Sequence, residues 1–132
     1  MKPHISMVTL GVSDLVRSTA FYRDGLGLPA NEDFAGVVFF QLKGAWLSLY
    51  PRAELAADAK VFDEGEGFKG FTLAHNVASR EEVDAVLEQA RNAGAHISRT
   101  AHETDWGGYS GYFADPDGYL WEVAWNPHFD LT

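Results

Sequence analysis

Gly111-Tyr112-Phe113-Ala114-Asp115-Pro116-Asp117-Gly118-Tyr119-Leu120-Trp121-Glu122-Val123 consists of two short apolar runs separated by a four-residue turn. Pro116 fixes φ early in that turn, and Gly118 is free to take positive φ at its exit. Residues 110–114 and 119–125 therefore read as the two strands of an antiparallel hairpin. Moving upstream, residues 95–99 read as a short strand, and Gly94 ends a helix before it. Ser79 and Glu82 have the spacing of a capping box, ahead of Val83, Val86, Leu87 and Ala90 at helical intervals. Residues 70–76 read as the strand that opens this set.

The same order occurs once before. Val8, Leu10 and Val12 alternate within residues 5–12, the pattern of a strand. Asp14 can accept the free amides of a first helical turn, and Leu15, Thr19, Tyr22 and Leu26 follow at helical spacing. Gly25 and Gly27 end that helix. Residues 36–42 and 45–50 read as a hairpin around Lys43-Gly44. The two helix caps, Asp14 and Ser79, lie 65 residues apart, so the chain reads as a duplication. Module one covers 1–50 and module two 68–127, with a linker at 51–67 and a tail at 128–132, all within one domain. The linker begins helix-like over 52–59 and ends acidic and glycine-rich.

Composition narrows the function. The chain has 132 residues, of which 46% are hydrophobic, enough for a real core. No apolar run approaches the roughly 20 residues of a membrane helix. There is no cysteine, which excludes disulfides and thiolate metal sites. The expected location is cytoplasmic. A formal net charge of -9 without a basic cluster argues against nucleic acid and anionic membrane as partners.

The opening stretch Val8-Thr9-Leu10-Gly11-Val12-Ser13-Asp14-Leu15, with Phe21-Tyr22 and Leu26-Gly27, resembles the start of vicinal-oxygen-chelate proteins. The stretch at 111–123 resembles their closing motif. This is the glyoxalase, bleomycin-resistance and extradiol-dioxygenase group, and the resemblance spans the whole chain. It implies an α+β fold of two tandem βαβββ modules. The two would form a curved, cup-like mixed sheet with helices on the convex side. It also implies a homodimer and a small-molecule ligand.

In that group a metal sits on four strand residues. Carried over, they fall at Met7, near Ser48, at Phe71 (or Gly70 one register away) and at Glu122. Only Glu122 is a good ligand for the hard or borderline divalent ions involved. No metal or other cofactor is therefore expected, and classical lactoylglutathione lyase activity is not expected either. His4, His96, His102 and His128 form no metal spacing.

Strand alternation extends the candidate site. With Glu122 facing the cup, Leu120 and Ala124 face it too. Met7, Thr9, Trp46, Ser48, Tyr50, Phe71, Leu73 and His75 are expected on the same lining, which is apolar and aromatic with a few polar groups. Trp106, beside Gly107 and Gly108, is expected to form a movable lip. Glu122 is the candidate general base and His75 a secondary candidate. Three readings follow: a metal-independent binder of a small apolar or aromatic molecule, a protein that sequesters an antibiotic, or a metal-dependent lyase or dioxygenase whose ligands lie elsewhere.

Overall fold

The computed structural model describes residues 1–132. The chain divides into two compact units, residues 1–65 and 66–132. Each carries one βαβββ module, so the fold is α+β with tandem modules, as the sequence implied.

The first unit contains β1 (Met7–Val12), α1 (Leu15–Ala20), β2 (Ala30–Asn31), β3 (Val38–Phe40), β4 (Trp46–Pro51) and α2 (Arg52–Ala59). Its sheet runs in the order β1-β4-β3-β2, with β1 parallel to β4 and the other pairs antiparallel. Asp14 caps α1 by accepting the Arg17 amide at 3.0 Å. The helix then widens into a π-helical turn, Phe21–Gly25, closed by Leu26 N–H on the Phe21 carbonyl at 2.9 Å. That turn brings Phe21 and Tyr22 onto the sheet. Tyr22 is fully buried, with its ring 5.9 Å from that of Phe40. Leu10, Val12, Val38, Leu47 and Leu49 complete this core face. The expected linker helix is present as α2, and it packs on β1 and β4 as part of the first unit.

The second unit contains β5 (Leu73–Asn76), α3 (Arg80–Asn92), β6 (His96–Glu103), β7 (Tyr109–Ala114) and β8 (Leu120–Trp125). Its sheet order is β5-β8-β7-β6, again with one parallel pair at the start. Ser79 Oγ accepts the Glu82 amide at 3.2 Å, while Glu82 accepts from Ala78 N–H at 3.1 Å. The capping box thus closes one residue earlier than its usual form. Gly94, at φ 103°, ends the helix, and Ala95 N–H returns to the Ala90 carbonyl at 2.9 Å. Val83, Leu87 and Ala90 of α3 pack on the sheet. In the 115–118 turn the Asp115 carboxylate accepts both the Asp117 and the Tyr119 amides at 2.9 Å.

Three features departed from expectation. The two-residue β2 carries no alternation that a sequence could show. β6 runs to Glu103 rather than stopping at Arg99, because pairing with β7 continues past the short apolar stretch. Strand β5 starts at Leu73 rather than at residue 70, where Gly70 takes φ 83°. No helix is long and apolar enough to cross a membrane.

Candidate functional site

Each sheet has one face on its helix and one face away from it. In the first unit the second face is a set of cross-strand pairs, Met7 with Trp46, Thr9 with Ser48, and Gly11 with Tyr50. All five predicted residues of this module therefore share one face. Ser48 is buried, and its hydroxyl lies 2.6 Å from that of Thr9, so the two hydroxyls satisfy each other. Met7 and Trp46 are each 36% exposed, an apolar pair left open at one end of the face. At the other end Arg52 crosses over Gly11, where a Cβ would lie 3.2 Å from the Arg52 backbone. The Arg52 guanidinium holds the Asp63 carboxylate, tying the acidic stretch back to this unit. Phe39, opposite Ser48, also belongs to this face, with Phe34 5.8 Å away edge-on.

The second unit differs from expectation. Glu122 pairs with Ala74 on β5 and with Tyr112 on β7. Leu73 pairs with Trp121 and His75 with Val123, which places both on the face opposite Glu122. That is the face where α3 lies: Leu87 is against Gly111, the partner of Val123. Leu73 and His75 therefore do not join Glu122. His75 is exposed at the edge strand. Phe71 precedes the strand, and its ring lies 5.9 Å from that of Tyr119 in the hairpin turn. Leu120, paired with Ala114, does share the Glu122 face.

Trp106 packs against its own loop. Its ring lies directly against the backbone of Gly108, where a Cβ would come within 1.9 Å of it. The loop is tied by Thr104 N–H to the Gly108 carbonyl, Gly107 N–H to the Thr104 carbonyl, and Gly108 N–H to Thr104 Oγ1. His128 Nε2 stands 2.8 Å from the Trp106 carbonyl oxygen.

The centre of the second face is a residue that alternation along single strands missed. The Tyr112 hydroxyl donates to Glu122 Oε2 at 2.5 Å. This bond to a carboxylate is the main reason the Tyr112 phenol is pushed up to about 12. Partial burial adds to the shift, and the nearby Arg99 guanidinium opposes it. Arg99 is the register partner of Tyr112 on β6. A row therefore crosses all four strands: Arg99, Tyr112, Glu122, Ala74. Five residues separate Ala114 from Leu120, and that spacing sets Tyr112 opposite Glu122; the four-residue turn read from the sequence would have set it opposite Trp121. The 65-residue offset would have corrected β5, since it carries Thr9 to Ala74 and Met7 to Thr72.

That correction moves the third metal position from Phe71 to Thr72. The set is then a thioether, two hydroxyls and a single carboxylate that is already accepting from a phenol. Such donors do not suit a divalent ion. No three His, Asp or Glu side chains anywhere stand close enough to share one.

Two tandem modules with this strand order define a glyoxalase-like fold. The family model for the glyoxalase/bleomycin resistance protein/dioxygenase superfamily matches residues 4–123. The chain belongs to that superfamily. It is 33% identical to a glyoxalase-related enzyme from Fulvimarina pelagi, with a TM-score of 0.90 over 98% of this chain and 93% of the other. A lactoylglutathione lyase from Agrobacterium tumefaciens gives 26% identity and a TM-score of 0.75, over 98% of this chain and 100% of the other. The uncharacterized protein YraH of Bacillus subtilis is 30% identical over 88% of this chain and 93% of its own length.

Proposed function

We propose that this chain is a metal-independent superfamily member that binds a small apolar or aromatic molecule, with Glu122 and Tyr112 as the polar centre of the site. The observation that carries this reading is the Tyr112 hydroxyl seated on Glu122, at the one carried-over position that is still a good metal ligand. A carboxylate engaged in this way is poised to accept hydrogen bonds from a ligand, not to anchor an ion. Around it, Leu120, Ala114 and Ala74 supply apolar surface in the second unit. The first unit carries an apolar face of its own, with Met7, Trp46 and Tyr50.

If the ligand is transformed, Glu122 is the group to take a proton, and Tyr112 holds its carboxylate in place. The lyase reaction of the glyoxalase type needs a metal to hold the enediolate, and this donor set does not offer one a home. Sequestration of a cationic or aromatic antibiotic draws on the same aromatic lining and on the net charge of -9, a property of the whole surface. The homodimer implied by the resemblance is part of the reading, and sedimentation velocity tests it.

Calorimetry with zinc, nickel, manganese and ferrous iron, joined to elemental analysis of the purified protein, tests the central statement. No stoichiometric binding is expected. A tight one-to-one metal would overturn the reading. With a substrate in hand, a Glu122→Gln variant that keeps full turnover would remove Glu122 from the general-base role.

A further inference from the structure

Strand β6 breaks register twice, once on each side of Arg99. Ile97 pairs with Phe113, so a regular ladder would place Ser98 opposite Tyr112. An extra residue intervenes, and Arg99 takes that place instead. A second irregularity lies between Arg99 and His102. Bulges of this kind re-aim side chains and gather beside functional sites. Here the result is that a cation, not a serine, extends the Tyr112–Glu122 row.

The other arginines are occupied. Arg23 pairs with Asp24 and Glu32, Arg52 with Asp63, Arg80 with Glu103 and Arg91 with Glu88, while Arg17 donates to Ser13. The Arg99 side chain has neither ion pair nor hydrogen bond, in a chain with 19 acidic residues to choose from. It is exposed, and its charge is felt at the Tyr112 phenol.

From this placement we infer that Arg99 holds the carboxylate of a small organic acid whose other end donates a hydrogen bond to Glu122. A guanidinium presents two parallel N–H groups, the geometry that matches a planar carboxylate. One cation facing a fixed carboxylate suits a monoanion better than a dianionic phosphate group. Two interstrand spacings separate Arg99 and Glu122 along the row, about 10 Å between backbones, which is the span of one substituted ring. The inference rests on the proposed small-molecule site and adds the chemical class of its occupant.

An edge strand also uses bulges and charges merely to block pairing with other chains, so the test must read binding. Three probes separate the contributions: para-hydroxybenzoate, para-hydroxybenzamide and benzoate. Binding is followed by residue-resolved NMR shifts at Ala74, Tyr112 and Glu122. The hydroxy acid is expected to bind about tenfold tighter than its neutral amide, the scale of one charge-assisted contact in a wet site. Arg99→Gln should erase that preference, so that acid and amide bind alike. Arg99→Lys should restore part of it. Equal binding of acid and amide, or an acid preference that survives Arg99→Gln, overturns this inference alone. Absence of saturable shifts with all three probes overturns the small-molecule site together with it.

Discussion

Tyr112 shows how one hydroxyl changes what a carboxylate does. The neutral phenol is held by Glu122, so its folded-state value, about 12, lies above the ordinary 10.0. The stability it contributes is therefore complete below pH 10 and is lost as pH rises toward 12. A titration of tyrosinate absorbance, compared with Tyr112→Phe, should show this phenol titrating late. Glu122→Gln should bring it back toward 10, because the carboxylate's charge and hydrogen bond are the main causes of the shift. An unchanged late phase in Glu122→Gln would contradict the pairing. At this scale the sequence was half legible. Glu122, Ser48 and Thr9 were readable from motif and alternation. Leu73 and His75 were misplaced by one residue, and a one-residue slip turns a whole strand over.

At the scale of elements, the caps and turns were the most readable parts. Asp14, Ser79, Gly94 and the 115–118 turn act through local hydrogen bonds that depend on a few neighbouring residues. Ser79→Ala should cost about 1 kcal/mol in urea denaturation, through the lost bond to the Glu82 amide. Gly111 makes a sharper demand. A Cβ there would lie 2.7 Å from Leu87 Cδ1 and 3.0 Å from the Arg99 carbonyl oxygen. Gly111→Ala should therefore destabilise by roughly 1–3 kcal/mol, since overpacking must move backbone as well as the leucine tip. Thermal unfolding measures it, and a neutral result would mean that α3 is not held close to β7. The bulges in β6 and the π-helical turn had no visible sequence signal. Both arise from how a strand or helix meets its neighbour rather than from any local preference.

For the whole molecule, dialysis against a chelator should leave the melting temperature unchanged. A metal that bound the folded state would raise stability by mass action and would be lost on chelation. A clear drop after chelation would point to an ion that the donor chemistry argues against. The duplication was legible from the repeated element order and the cap spacing, and its 65-residue offset contained the register of β5. The division of residues 51–65 to the first unit was not legible, because it depends on Arg52 meeting Gly11 and Asp63.

The two rows, Phe39-Ser48-Thr9 and Tyr112-Glu122-Ala74, occupy equivalent places in the two modules and differ in kind. In the first, two hydroxyls close on each other. In the second, a phenol and a carboxylate lead to an unpaired arginine. Each copy is thus an internal control for the other. A substitution that alters ligand preference in the second row, while its counterpart in the first alters only stability, would show that one module serves recognition and the other serves as scaffold.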